Sequence, residues 1–571
     1  MRNMCWGKIL PGYCLAFSFL FCFSTEQLAA QDLEQIGKDE HPVKVNGGIS
    51  VAQTAYVASG MTSRRDPYNY YITGNVNFSL YGWSVPLSFN YSNHGVTFQQ
   101  PFNQYGLSPT YKWITLHAGY RSMTFSPYTL NGHLFLGGGI ELTPKGIFRL
   151  SAMYGRLQKA VAPDSTNQNM LPAFERMGFG VKAGIVKNSD HFYVILFRAK
   201  DDVNSLPYVP EELQVLPQEN IVLGFRGKKN LFEGLVLSVD WGTSAITRDL
   251  RAPSSEDAPP FFGQAMGLYS FKTSSSLHHA VKTSVNYSGQ TYQIGLNYER
   301  IDPEYRTLGA YYFNNDLENV TVSSSFRVAN VSFTTNAGVQ RNDLDGTKAS
   351  KLNRIVGSVN SSFSPSERLQ ANLSFSNFRS YTRLRPKFED LSGIPRQLTD
   401  TLNARFVQIS QTANAGLNYK VGQGKNSINS IFTLSVSEDE QDTLATVSKL
   451  YYTTTTYNFV SSAIEVNGSA GVNVSWTDET SGNRLAIGPV VQGSKDFFNR
   501  KLKVNTSVSY NTILQGGANS GGVVSTRLTV SYRMQKKHNF NFSLINVNRK
   551  DPSTHNPISE FTANLNYGYT F

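Results

Sequence analysis

Over most of its length this chain alternates apolar and polar side chains in steps of two. In its last stretch Phe561, Ala563, Leu565, Tyr567, Tyr569 and Phe571 fall on one face, and Thr562, Asn564, Asn566, Gly568 and Thr570 on the other. "KLKVNTSVSY" sets Leu502, Val504, Val508 and Tyr510 against Lys501, Lys503, Asn505, Ser507 and Ser509. Near the front Ile72, Val76, Phe78 and Leu80 oppose Thr73, Asn75, Asn77 and Ser79, and Tyr292, Ile294, Leu296 and Tyr298 carry the pattern through the middle. Period two belongs to a β-strand whose two sides meet different surroundings, and helical spacing at i, i+3, i+4 is nearly absent. The chain therefore reads as one large all-β unit.

Half-apolar strands can bury their apolar faces in a sandwich or solenoid core, or turn them to lipid around a closed barrel. The opposite faces here carry Ser, Thr, Asn, Gly and scattered charges, strand after strand, which suits a wide wet lumen. The alternating segments run well past the ~5–6 residues usual in soluble sheets and match the ~9–11 of a tilted membrane strand. The 30 Tyr and 36 Phe also fit, because rings gather where membrane meets water. A transmembrane antiparallel barrel is expected.

The front end has the layout of a secretory signal peptide. Arg2 and Lys8 precede the apolar run Ile9 to Phe23, and small residues follow at "LAAQD", placing cleavage after Ala30. The apolar run is short for the ~20 residues of a membrane anchor, and no longer one follows. Cys5, Cys14 and Cys22, the only cysteines, all lie inside this segment, which excludes a disulfide scaffold, thiolate metal sites and a cysteine nucleophile from the mature chain. Removing Arg2, Lys8 and Glu26 with it takes the formal charge from +11 to +10. The cations are spread along the chain and an exported protein does not meet nucleic acid, so none is expected as a partner.

The final strand, with Leu565, Tyr567, Tyr569 and a terminal Phe571, resembles the assembly signal of Gram-negative outer-membrane β-barrel proteins. The resemblance implies location in the outer membrane, contact with its lipids and lipopolysaccharide, and recognition by the barrel-assembly machinery. A mature start at Gln31 resembles a habit of Bacteroidota exports. The expected organisation is a signal peptide over 1–30, a short periplasmic segment over 31–42 and a barrel over 43–571. Alternating short and long connections give about 24 strands, within 22 to 26. Only the long stretch 94–110 falls on the wrong side of that alternation, so a strand is missed there or the segment folds into the lumen.

A barrel of this size leaks unless something closes it. Segments 94–110, 248–274 and 382–404 are the candidates, or else a partner protein acting as plug. The expected function is a channel or export conduit; the alternative is a barrel anchoring a surface assembly through its long outer loops, with a surface partner protein. No catalytic motif or cofactor is expected: "GxSxG" and "HExxH" do not occur. The glycines of "GFGVKAG" (Gly178, Gly180, Gly184) ease curvature or make room in the lumen. Adjacent His278 and His279 point to opposite faces of a strand and cannot share a metal. "NDLDG" (Asn342 to Gly346) lacks the later Glu of a calcium loop. The acidic run Glu438, Asp439, Glu440 and Asp442 is expected in an outer loop, where it could meet divalent cations.

Overall fold

The computed structural model describes residues 43–571 except 94–102, 164–170, 210–212, 256–267, 312–313, 343, 347–352, 382–406, 423–424, 442–443, 462–463, 480–481 and 551–556. The expectations for residues 1–42 lie outside the described residues. Twenty-seven strands, numbered in chain order, form one antiparallel sheet. Strand β1 (Lys44–Ser59) pairs with β27 (Ile558–Thr570) as well as with its sequence neighbour, closing the sheet into a barrel. The closure ends in a reciprocal pair between Gly47 and Phe571, with N···O distances of 3.1 and 3.0 Å. Among the described residues no helix is long and apolar enough to cross a membrane.

β4 (Gln104–Leu107) and β5 (Thr110–Tyr111) both lie between β3 (Trp83–Ser92) and β6 (Ile114–Thr124), so they are two pieces of one strand and the barrel has 26. This is the top of the expected range. It also explains the irregularity at 94–110: the strand there shows no continuous alternation because Ser108 and Pro109 interrupt it, and proline removes a ladder donor. With that strand restored, the short turns among the described residues fall on the side of the two chain ends, except Gly516–Gly517, a two-residue turn on the opposite side. One of them, Tyr81–Gly82, has φ of 49° and 82°, the pair of positive angles that a two-residue hairpin turn matched to strand twist requires. "GKKN" (Gly227 to Asn230), turn-like in composition, belongs to β11 (Glu219–Phe232), and the chain reverses at Glu233–Gly234. Lys229 pairs in the ladder with Leu237, and its ammonium lies 2.6 Å from Asp190.

Burial fixes which face points inward. In β10 (Asp190–Asp201) Ile195, Phe197 and Ala199 are fully buried, whereas Phe192 and Val194 are exposed. Directly opposed residues of antiparallel strands share a face. The partner of Phe197 is Val222, also fully buried, and the next partner is Ser244 of β12 (Leu235–Thr247). Carried round the sheet, the opposite face collects the exposed Ile294, Leu296, Val320, Val322, Leu373, Phe375 and Val57. A closed barrel with such an apolar exterior satisfies every ladder hydrogen bond internally and meets hydrocarbon outside, the one β-architecture a bilayer permits. The chain is an outer-membrane barrel.

Candidate functional site

The inner wall has two unlike sectors. From β15 (Leu317–Val328) to β22 (Val466–Glu479), one row of directly opposed inward residues reads Ser325, Thr334, Asn360, Ser374, Asn414, Thr433, Tyr452, Ser475. Hydroxyls and amides bond along the row, Thr433 donating to Asn414 at 2.9 Å and Asn414 to Ser374 at 3.3 Å. Across the closure the row Asn505, Thr529, Ser543, Asn564, Thr54, Asn69 repeats the chemistry. Neither row carries a charge. Such rows hydrogen-bond water and neutral polar solutes; the nearest charges on the same face are Lys503, opposite Asp496, and Arg527.

The other sector, between β7 (Asn131–Leu142) and β14 (Tyr292–Ile301), is filled. Two outer connections fold inward: 125–130, between β6 and β7, and 302–311 of the connection between β14 and β15. Six strands separate their roots, yet they meet. Tyr305 donates its hydroxyl to Tyr128 O at 2.7 Å, Thr307 donates to Thr129 O at 2.8 Å, and Asn131 N–H donates to Gly309 O at 2.9 Å. Phe125, Leu130 and Leu308 join Phe135, Leu157, Ile195, Phe197 and Val222 of the wall in one buried cluster. Buried backbone polar groups find partners on the wall: fully buried Asn220 accepts from Leu308 N at 3.1 Å and donates to Ser244 Oγ at 2.7 Å, and Ser244 donates to Arg306 O at 2.6 Å. An unmet buried donor costs about 1–3 kcal/mol, so these contacts are what lets a polar loop backbone sit in a dry cluster.

Glycines on the inner face make room. A Cβ on Gly180 would stand 2.8 Å from the Phe125 ring, and one on Gly178 would stand 2.6 Å from Leu157. This is the room-making role expected of "GFGVKAG"; Gly184 differs, since its Cβ would meet the Phe192 backbone oxygen at 2.1 Å.

Beneath the filled layer runs a ladder of alternating charge. Arg226, Asp240, Lys282 and Glu299 are direct partners on β11 to β14. Arg226 and Asp240 approach to 3.4 Å, Lys282 and Glu299 to 3.5 Å. The ladder holds the plug from below: Glu299 accepts from the Tyr128 hydroxyl at 2.7 Å, and Arg226 reaches Phe125 O at 3.5 Å. Burial, then the adjacent Glu299 carboxylate, raises the Tyr128 hydroxyl well above the ordinary tyrosine range, so it remains a donor. The Lys182 ammonium lies 5.5 Å from the centre of the Phe125 ring and 5.2 Å from that of Tyr193, a cation–π contact from the side.

Among the described residues, the lumen is filled from 125–130 and 302–311, and no described part of the segments expected to close it lies there. Of 94–110, the described part supplies β4 and β5; 382–404 lies outside the described residues; the described ends of 248–274 pack on the outer face of the rim, where Tyr269 bonds Thr247 at 2.7 Å. Residues 125–130 and 302–311 carried no signal of their own as plug elements. Leu565, Tyr567, Tyr569 and Phe571 share the outward face, with ring centres 4.8 Å apart for Phe540–Tyr567 and 5.6 Å for Tyr569–Phe571. His278 bonds Ser276 and His279 bonds Thr243. The acidic run is corrected: Glu438, Asp439 and Glu440 are in strand β20 (Asn426–Gln441), paired on both sides, and Asp442 lies outside the described residues. Among the described residues no cluster of His, Cys, Asp and Glu could hold a metal ion.

No protein-family model matches the sequence, and no curated protein matches it. Among solved structures, the chain is similar to the FrpB iron transporter from Neisseria meningitidis (F3-3 variant), at 11% identity over 92% of this chain and 81% of that one, with a TM-score of 0.38. It is also similar to the copper transporter OprC, at 9% identity over 94% and 82%, TM-score 0.39. The ferric citrate transporter FecA matches at 10% identity over 92% and 79%, TM-score 0.37. Likenesses this distant carry no argument about what this chain does.

Proposed function

We propose that this protein is an outer-membrane conduit for neutral, hydroxyl-rich solutes, closed over one sector by its own loops. The observation that carries this reading is the division of the inner wall. A filled sector rests on a charge ladder, and beside it an uncharged ladder of Ser, Thr and Asn faces the lumen. Width supports passage: ~16–18 strands already leave an aqueous channel, and this barrel has 26. The neutral rows support the solute class, because a conduit for ions uses rings of charge to select them. The chain works as a passage, not as an enzyme, and takes no cofactor.

The test is solute flux into proteoliposomes. Neutral oligosaccharides are expected to enter faster than anionic or cationic solutes of equal size. Absence of flux through both the wild-type protein and the form lacking the plug segment discards the conduit.

Leu565, Tyr567, Tyr569 and Phe571 are proposed as the assembly signal read by the barrel-assembly machinery. Support comes from their place on the closing strand, where Leu565, Tyr567 and Tyr569 share the outward face at the seam with β1. Deleting Phe571 is expected to lower folded barrel in the membrane several-fold while export is unchanged. Wild-type levels of heat-modifiable, folded barrel in the membrane would refute the assignment.

A further inference from the structure

Up the outward face of β10 the chemistry changes abruptly. Phe192, Val194 and Leu196 belong to the lipid-facing band, and the next two residues on that face are Arg198 and Lys200. At ~3.4 Å per residue and ~40° tilt, Lys200 stands on the order of 10 Å above Leu196. That is headgroup depth on the outer side of the membrane.

A cavity of about 300 Å³ opens at this height, lined by Arg198, Lys200, Glu219, Leu268, Tyr269 and Lys272 among others. It is built rather than incidental. Glu219 is 2% exposed and fixes the cationic wall: Arg198 donates to it at 2.9 and 2.5 Å, and Lys200 Nζ lies 3.9 Å away. The opposite wall is the returning end of 248–274. There Leu268, Tyr269 and Phe271 pack on Ile221, Ala245 and Leu277, and Lys272 follows. Three cations face one carboxylate, and that carboxylate is buried and already paired. The surplus points into a pocket that opens directly above hydrocarbon.

We propose that this pocket binds the phosphate group of an outer-leaflet glycolipid, with Lys200 and Lys272 as its mobile ligands, Arg198 as its fixed one, and Leu268 against the lipid's apolar part. The lipid source follows from position. The cavity lies on the outward face, continuous with the apolar band, and not on the lumen side where a soluble anion would arrive. The site is independent of conduction and does not stand or fall with it.

The test uses the full-length barrel in detergent, titrated with bis-phosphorylated lipid A, with the same lipid stripped of its phosphates, and with inorganic phosphate as competitor. Lys200→Ala combined with Lys272→Ala is expected to weaken binding of the phosphorylated lipid at least tenfold. Lys145→Ala, in an exposed turn at the opposite end of the barrel, is expected to leave it unchanged. Arg198 is left intact in these variants because its loss would strand Glu219 as a buried charge; Lys200→Arg with Lys272→Arg is expected to restore affinity. Equal affinity in the alanine variant, or equal binding of the dephosphorylated lipid, overturns the proposal. So does displacement by inorganic phosphate at concentrations comparable to the lipid, which would mark a soluble-anion site.

Discussion

Replacing Tyr305–Gly309 by a Gly-Ser linker of equal length is expected to at least roughly double the single-channel conductance and raise the size of the largest neutral solute that passes, because passage scales with unobstructed interior width. Strand content is expected to stay unchanged. The two halves of this prediction rest on different bonds. The barrel ladder is made by β14 and β15 below the segment, paired from Tyr292↔Phe326 to Ile301↔Leu317, and none of those bonds is touched. The plug, in contrast, loses Tyr305 and Leu308, 0% and 3% exposed, the hydroxyl bond to Tyr128 O, and the Thr307 bond to Thr129 O. Truncating a buried Leu costs about 2–5 kcal/mol and a large buried aromatic about 3–5 kcal/mol. Even half of the smaller figure shifts the docked-to-open ratio several-fold, at ~1.4 kcal/mol per factor of ten. Single-channel recording with circular dichroism on the same preparation checks both halves. Unchanged current with intact strands would mean that the filled sector does not limit passage.

The exterior of this barrel was legible because lipid imposes a rule on every second residue. Leu565, Tyr567 and Tyr569 announce their face in the sequence, and so do Ile294 and Leu296. The plug was not legible in its own residues. Tyr305, Thr307 and Leu308 sit in a connection where no backbone period links one side chain to the next, so their burial is decided by what they meet across the lumen. Yet the wall carried a trace of it. "HFYVILF" (His191 to Phe197) is apolar on both faces, where a lipid-and-water strand would alternate. A run apolar on both faces has both faces covered, and here the inner cover is Phe125, Leu130 and Leu308. Gly180, Gly224 and Gly242 are the matching negative imprint, small where Phe125, Thr129 and the Tyr128–Tyr305 pair need space. The acidic run differs for a related reason: consecutive Glu438, Asp439 and Glu440 look like a solvated loop, but their backbone continues the ladder of β20, paired on both sides.

That imprint gives the sharper of the two large effects. Gly242→Leu is expected to drive the plug from its seat, and Gly416→Leu is expected to do nothing of the kind. Both glycines face the lumen, so both substitutions add the same side chain to the same kind of surface. They differ in what lies opposite. A Cβ on Gly242 would stand 2.8 Å from the Tyr305 hydroxyl oxygen and 2.9 Å from Tyr128 Cβ, and one on Gly416 has nothing within 4 Å. Neither neighbour of Gly242 can yield cheaply, since the Tyr305 hydroxyl is held by Tyr128 O at 2.7 Å and Tyr128 by Glu299 at 2.7 Å. Forcing a side chain into so close a contact costs about 1–3 kcal/mol and moves the docked-to-open ratio roughly 5- to 100-fold. Amide exchange of residues 305–311 reads that ratio without reference to transport: it is expected to accelerate by the same factor in Gly242→Leu and to match wild type in Gly416→Leu. Equal protection in all three proteins would mean that the segment is held by the ladder beneath it and not by the fit of its side chains into the glycine-lined wall.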